Sequence, residues 1–381
     1  MVDTPITESS DPLVVMSAAS KKPPRKLAWR IAQIVFSVAL TVGIFAFAIP
    51  KLADYSAAWR AITRMTWLTL VVLVAAMVFN LVTYWWQNMA SMVGLGFFQA
   101  AVNNQTTTSV ADTVPGGGYL AVGVGYTMYR SWGFSNSAIA LSAAVTGIWN
   151  ILMKLGLPLI ALALLAVTGR ASTSLVLTSL VGLAILIGAI VLLSMVLWKK
   201  ELAQRIGAGL GRIASAVRKI LRKPPVQDWG EAAVRFRHQT IELVARRWAQ
   251  LTITTIVSHL ALYLVLLLAL RFVGVSEREV TWAQVLGVFA FGRLLTALPL
   301  TPGGLGLVEF TYIGGIILAG RGRTDVSPDI FHAQVAGAVL LFRALTYGVQ
   351  IPLGGFAYLI YRAKSSWRHP AGGEHQIATV M

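Results

Sequence analysis

The sequence predicts an all-α, multi-pass integral membrane bundle with two re-entrant or broken hairpins, each interrupted by proline and glycine. The first observation is composition: 56% of the 381 residues are hydrophobic, and they form runs long enough to cross a bilayer. The second is that Pro and Gly cluster inside two apolar regions, where they break helices. The third is charge placement, because most Lys and Arg residues flank apolar runs, in segments 21–30, 199–247 and 362–368.

The same composition excludes several function classes. The chain has no cysteine, which rules out disulfides, thiolate catalysis and cysteine-based metal sites. Its five histidines are scattered and lack the spacing of a zinc hydrolase. The net charge of +17 is compatible with nucleic-acid binding, but the cations border apolar runs, so the expected partners are anionic lipid headgroups at the cytoplasmic face. We expect no nucleic acid, metal or cofactor.

In chain order, a polar tail (1–27) predicted to be disordered precedes the transmembrane domain (28–362), and a short basic tail (363–381) follows it. We interpret the first apolar run as an uncleaved span, although Ala46-Phe-Ala48 resembles a signal-peptide cleavage site. An even number of spans keeps both termini and loop 199–247 on one side, and their positive charge makes that side cytoplasmic. The predicted spans are Ile31 to Ile49, Thr66 to Trp86, Ile139 to Val167, Ser174 to Trp198, Leu251 to Val273 and Ala333 to Ile360.

Loop 199–247 is the one sizeable extramembrane segment in this prediction. Its apolar residues recur every three or four positions with cations on the other side, which predicts a basic amphipathic helix. Such a helix lies in the headgroup plane or packs on another part of the same protein, and both interpretations stay open. The apolar positions are Leu202, Ile206, Leu210, Ile213, Val217 and Ile220, and the opposing cations are Arg205, Arg212 and Lys219.

Two proline–glycine tips mark the predicted hairpins. Residues 100–130 turn at Pro115–Gly118, and residues 284–320 turn at Pro302–Gly306. Broken backbone at membrane depth is tolerated only where it is buried in protein or lines a wet cavity. The two tips follow spans of opposite direction, which favours an inverted-topology repeat over chance recurrence of Pro-Gly-Gly. The predicted halves, with tips meeting near the midplane, are 66–168 and 248–361.

Five ionisable side chains lie within apolar runs, where a charge costs at least ~3 kcal/mol unless it faces protein, water or a partner. Glu309 is the only carboxylate among them and is expected to pair with Arg343 or Arg293. The remaining cations lack a matching anion, so an anionic ligand such as a lipid phosphate completes the site, or else the arginines are only structural. We interpret His259 as an interior histidine rather than a proton relay.

We therefore predict that a lipid headgroup binds between the two tips, with no catalytic residue and no metal ligand. Lys154 lies one helical turn after Asn150, so the two share a helix face. Free amides at a glycine-rich tip and at half-helix N-termini add affinity for an anion. The candidate headgroup-binding residues are Arg293, Arg343, Glu309, Lys154, Asn150, Pro115, Gly116, Gly117, Gly118, Pro302, Gly303, Gly304 and Gly306.

The second hairpin and the last span carry a long, ordered motif. Its residues are Arg293, Pro299, Thr301-Pro-Gly-Gly-Leu-Gly306, Glu309, Arg343, Tyr347 and Pro352. The motif resembles the second-half signature of the lysylphosphatidylglycerol synthase transmembrane family, the flippase-like domain of the multiple peptide resistance factor. The resemblance covers about residues 30 to 362. It implies a membrane domain that moves a polar-headed lipid between leaflets.

The first half departs from the family's pattern. Many members have Gly-Glu after the first proline tip and an Arg/Asp pair in the next span. Here Tyr119-Leu120 follows Gly118, and the next span carries Asn150 and Lys154. The lipid substrate therefore stays open. In the multiple peptide resistance factor a soluble aminoacyl-transfer domain follows, whereas this chain ends soon after its last span, so we do not expect synthase activity.

The sequence thus predicts a non-enzymatic lipid flippase or transporter in the cell membrane. Its substrate is an anionic or zwitterionic phospholipid or a lipid-linked glycan. The alternative is an accessory membrane protein that binds a polyprenyl-phosphate or glycolipid and presents it to an enzyme. A membrane-embedded lipid enzyme ranks third, because no nucleophile–base pair supports it. Whether a second copy or a separate lipid-modifying enzyme is a partner stays open.

The topology is tested with reporter fusions at Lys223 and Met381. Both sites should report a cytoplasmic location, because loop 199–247 and both terminal segments hold most of the positive charge. A periplasmic or extracellular signal from either fusion would contradict the predicted topology.

Overall fold

A computed structural model describes residues 54–113, 117–167, 183–192, 229–296 and 301–364 continuously, together with isolated positions in 35–51, in 194–215 and at 367. Every long element in this described part of the chain is an α-helix. An apolar helical stretch, Leu183–Leu192, also belongs to it. The ten longer helices, numbered in chain order, are α1 Tyr55–Thr63, α2 Trp67–Ser91, α3 Phe97–Thr113, α4 Gly117–Ser131, α5 Asn136–Val167, α6 Trp229–Val273, α7 Trp282–Leu295, α8 Leu307–Gly320, α9 Pro328–Arg343 and α10 Gln350–Ala363.

Four described helical stretches are long and apolar enough to cross a membrane. They are Trp67–Ser91, Asn136–Val167, Ala233–Val273 and Pro328–Ala363, which confirms the second, third, fifth and sixth predicted spans as helices. Most of the first predicted span and of the helix at 202–220 lies outside the described residues. Of the fourth span, Leu183–Leu192 is described continuously and is helical. The structure is thus that of a multi-pass membrane protein.

The fifth span begins earlier than the sequence suggested. Leu251 was the predicted start, with residues up to 247 assigned to a loop, but α6 runs without a break from Trp229. Neither Pro nor Gly occurs between Glu231 and Val273 to stop it. The change from polar to apolar sequence therefore marks no helix end, and the last part of the predicted loop, from Trp229, is helical.

Both predicted helix breaks are present. Helix α3 ends at Thr113 and α4 begins at Gly117, and Pro115 and Gly116 between them lie outside the described residues. Helices α7 and α8 are separated by the short 3₁₀ turn Pro302–Gly304. Gly303 has a φ of 55° and Gly306 a φ of 84°, conformations that side chains with a Cβ rarely adopt. Glycine is therefore required where this break turns.

The last span has a feature that the sequence analysis missed. Helices α9 and α10 are joined by a π-helical turn, Ala344–Gly348, closed by the Val349 amide donating to the Ala344 carbonyl at 2.8 Å. Pro352 lacks an N–H and its ring crowds the carbonyl four residues earlier, at Gly348. A widened turn relieves that crowding.

The helices pack in a crossed pattern. The long helices α2 and α6 form a central pair. Helix α3 of the first hairpin packs along α10 of the last span, while α7 of the second hairpin packs along α5. Each hairpin therefore lies against the long span that belongs to the other half of the chain.

Contact between α3 and α10 depends on a glycine. A Cβ at Gly354 would collide with the Gln105 carbonyl and the Ser109 side chain, whereas the neighbouring Gly355 faces open space. The Ser109 hydroxyl also donates to the Ile351 carbonyl at 2.9 Å. The absence of a side chain at Gly354 brings the first hairpin and the last span into backbone contact.

We expect Gly354→Ala to destabilise the protein by roughly 1–3 kcal/mol, because the methyl group forces the two helices apart. Thermal unfolding of the purified protein in detergent measures the effect as a lower Tm. Gly355→Ala is the matched control and should leave Tm unchanged or slightly raised. Equal Tm values for the two variants would show that this close approach does not matter.

Candidate functional site

A cavity of about 450 Å³ lies where the two broken hairpins meet. Gly117 and Gly118 of the first tip and Gly303 and Gly304 of the second all line it. The described glycines of the two predicted tips therefore line one cavity. The rest of the wall comes from α2, α3, α5, α6, α7, α8, α9, α10 and the π-helical turn between the last two.

Three cationic side chains line the cavity: Lys154 from α5, Arg293 from α7 and Arg343 from the end of α9. Each comes from an apolar helix, so the sequence places a charge at membrane depth only where the fold provides a polar space. The three cations differ in their partners within the protein, and a cation without such a partner keeps an unmatched charge.

Arg343 is held by Glu309. Its Nε donates to Glu309 Oε1 at 2.7 Å, and only 1% of the glutamate side chain is exposed. Glu309 Oε2 accepts a second hydrogen bond, from the Gly306 amide at 2.7 Å, which caps the N-terminus of α8. Of the two predicted partners of Glu309, Arg343 is therefore correct and Arg293 is not.

Arg343 makes two further contacts. Its Nη2 donates to the Gly303 carbonyl at 3.1 Å, and its guanidinium carbon lies 4.6 Å from the centre of the Tyr347 ring. The ion pair, the carbonyl and the ring together fix this side chain across the break between α7 and α8. Arg343 is thus a structural clamp as well as a wall of the cavity.

Arg293 and Lys154 have no such partners among the described residues. Arg293 Nε is buried without a hydrogen bond, and both cations line the same cavity. Asn80 Oδ1 and Thr301 Oγ1, which belong to residues of the same wall, are also buried and unpaired. Buried polar groups ordinarily have partners, so these atoms leave hydrogen-bonding positions open in the cavity.

The cavity also contains Asp112, a carboxylate that the sequence analysis did not select. Its backbone carbonyl accepts a hydrogen bond from the Tyr347 hydroxyl at 2.6 Å. A Cβ at Gly303 would lie 2.6 Å from Asp112 Oδ1, so the carboxylate rests against the second tip. A usable signal was the polar stripe Asn104, Thr108 and Asp112, spaced by one helical turn just before Pro115.

Comparison with known families identifies the family of the chain. A family model described as "Lysylphosphatidylglycerol synthase TM region" matches residues 34–354 of the chain. The chain belongs to the lysylphosphatidylglycerol synthase transmembrane family. The resemblance noted in the sequence is thereby confirmed. No curated protein matches the chain.

In this family member most of the described candidate residues are brought together. Lys154, Arg293 and Arg343 line the cavity with the four tip glycines. Glu309 pairs with Arg343, and the Gly306 amide donates to Glu309. Asn150 is not part of the wall and instead donates to the Thr146 carbonyl at 2.8 Å. Pro302 begins the 3₁₀ turn of the second tip.

His259 is fully buried beside the cavity wall on α6. Its Nδ1 lies 3.0 Å from the Thr255 carbonyl oxygen one turn earlier. This position is that of an interior histidine, as the sequence suggested.

We expect Glu309→Gln to destabilise the protein by about 3 kcal/mol, because it leaves Arg343 unpaired in a buried site. Glutamate accepts two hydrogen bonds here, from Arg343 and Gly306, and a glutamine amide must turn its NH₂ group toward one of these donors. The readout is Tm of the purified protein.

Asp329→Asn is the control, because Asp329 is exposed at the start of α9. Glu277 is also exposed but would be a poor control, because it pairs with Arg271 and accepts a hydrogen bond from the Trp282 amide. If Glu309→Gln and Asp329→Asn unfold at the same temperature, the ion pair contributes nothing to the fold.

Proposed function

We propose that this protein is a lipid flippase or transporter that moves a polar-headed lipid between the two leaflets of the cell membrane. The observation that carries the proposal is the cationic cavity between two broken hairpins. Polar groups inside an apolar bundle destabilise it unless they have partners. A cavity that shields a lipid headgroup from hydrocarbon gives these groups such partners.

The excess of positive charge defines the ligand class. Glu309 neutralises Arg343, whereas Lys154 and Arg293 keep unmatched charges that need water or an anion. A phosphate oxygen pair fits the planar fork of a guanidinium, and an ammonium adds a point charge beside it. Every membrane phospholipid and polyprenyl phosphate carries such a group.

The packing pattern supports an inverted-topology repeat. The first hairpin packs on α10 and the second on α5, so each hairpin lies against the other half's long span. Packing of each hairpin on the other half of the chain is expected when two similar halves enter the membrane in opposite directions. In this arrangement both hairpins are re-entrant, and their tips meet near the middle of the bilayer.

Movement of a lipid then has a simple physical basis. The headgroup enters the cavity and exchanges water for cations and backbone amides, while its acyl chains stay in the surrounding lipid. Alternating access in transporters with inverted repeats comes from rocking one half against the other around a fixed site. The cavity glycines allow backbone to approach the headgroup closely.

Reconstitution tests the proposal directly. The full chain is placed in liposomes that contain a fluorescent phospholipid, and an outer-leaflet quencher reports how much lipid has crossed. We expect wild type to expose both leaflets to the quencher, Arg293→Ala to lower the rate at least tenfold, and Arg293→Lys to lower it less, because lysine keeps the charge but loses the fork.

Arg321→Ala is the matched control, since Arg321 is exposed in the turn after α8. Its rate should equal that of wild type. If wild type binds lipid but moves none, the accessory lipid-binding function replaces the flippase. If Arg293→Ala moves lipid as fast as Arg321→Ala does, headgroup contact at Arg293 is wrong.

A further inference from the structure

We propose that a second cavity, at the base of the first hairpin, binds an anionic phospholipid from the leaflet on the side of loop 199–247. This base cavity has a volume of about 800 Å³. It lies at the ends of α3 and α4 that point away from the tips, and it shares no residue with the cavity between the tips. The inference goes beyond the proposed function, because it does not depend on lipid moving between leaflets.

Three parts of the chain form the wall of the base cavity. They are the turn between α2 and α3, the turn between α4 and α5 with the start of α5, and residues 239–247 of α6. Leu243, in this wall, belongs to a buried apolar cluster with Ala90, Val145 and Leu251. Such a wall suits the upper part of an acyl chain. Its apolar residues include Met92, Val93, Trp132, Phe134, Leu141 and Leu243.

Arg247 gives the wall a cation that no described carboxylate neutralises. The ion pairs among the described residues leave Arg247 out, whereas its neighbour Arg246 pairs with Glu242 at 3.2 Å. Arg247 is half-buried, and its Nη1 donates to the Met89 carbonyl at 3.4 Å, which is a long and therefore weak hydrogen bond. The guanidinium has five N–H donors, so it keeps donors for the oxygens of a phosphate.

Aromatic side chains indicate that the base cavity lies at the level of the lipid headgroups. Trp248, next to Arg247 on α6, is 60% exposed, and Trp86 on α2 is 43% exposed. Trp132, in the wall, packs against Trp367 beyond the end of α10, with ring centroids 5.7 Å apart. Tryptophan is enriched at the boundary between membrane and water. The cation and the apolar wall therefore lie where the phosphate of a lipid meets its acyl chains.

A phospholipid fits these features better than a soluble anion does. A soluble anion would contact Arg247 and leave the apolar wall to water, whereas a phospholipid covers both. A volume of about 800 Å³ lies within the range of small-molecule sites, roughly 300–1,000 Å³, and takes a headgroup with the first part of its chains. The unmatched positive charge favours a lipid with a net negative charge over a zwitterionic one.

The test detects lipid at the base cavity. The chain has no cysteine, so Val93→Cys, at a wall position that is 58% exposed, carries a single nitrobenzoxadiazole fluorophore. The purified full chain in detergent is titrated with phosphatidylglycerol or phosphatidylcholine whose acyl chains carry a nitroxide, which quenches a nearby fluorophore. We expect phosphatidylglycerol to reach half-quenching at about a tenfold lower mole fraction than phosphatidylcholine does.

Arg247→Ala should shift the phosphatidylglycerol curve onto the phosphatidylcholine curve, because the unmatched cation is removed. Arg235→Ala is the matched control and should keep the preference, since Arg235 is an exposed arginine of the same helix that pairs with Glu231 outside the cavity. Equal curves for the two lipids in the labelled protein overturn the proposal without any arginine variant. A preference that survives Arg247→Ala also overturns it, as does displacement of phosphatidylglycerol by glycerol 3-phosphate, which would identify a site for a soluble anion.

Arg293→Ala separates the base cavity from the cavity between the tips. It should leave both quenching curves unchanged, because Arg293 lines only the other cavity, and loss of the preference in this variant would contradict the assignment. A protein that shows the preference but moves no lipid in liposomes refutes the flippase and leaves the base cavity standing as a lipid site. A protein that moves lipid but gives equal curves refutes the base cavity and leaves the flippase standing.

Discussion

The ion pair between Arg343 and Glu309 is the interaction on which the rest of the structure depends. Glu309 receives the guanidinium on one oxygen and the Gly306 amide on the other, and Arg343 also reaches the Gly303 carbonyl. A backbone break inside an apolar bundle exposes amides and carbonyls that lipid cannot satisfy. Glu309 and Arg343 supply hydrogen-bond partners to the backbone at the break, and they connect the break to the last span.

This arrangement explains why a region rich in glycine holds a defined shape. The second tip is held by charged side chains from α8 and α9. Tyr347, which packs on Gly303, also reaches across to the first hairpin at Asp112. The two tips are therefore joined through one cluster of polar contacts. That cluster and the cations of α5 and α7 line the same cavity.

Local chemistry made much of this predictable from sequence. The helix breaks were predictable because Pro and Gly act on their own backbone, and the Glu309 pair because a single carboxylate among cations in an apolar run needs a partner. Asp112 was not predictable in the same way, since its role depends on a contact with Tyr347, 235 residues away. The early start of α6 was missed because hydropathy reports the environment of a helix and not its end.

The unbroken length of α6 has a mechanical consequence. Its 45 residues extend roughly 68 Å, while the hydrocarbon core of a bilayer is about 30 Å thick. Leu262, on the cavity wall, and Trp229, at the helix start, belong to one rod without a hinge between them. A tilt of about five degrees at Leu262 carries Trp229 through roughly 4 Å, given the rise per residue. A small tilt of α6 at the cavity is thus magnified at its N-terminal end.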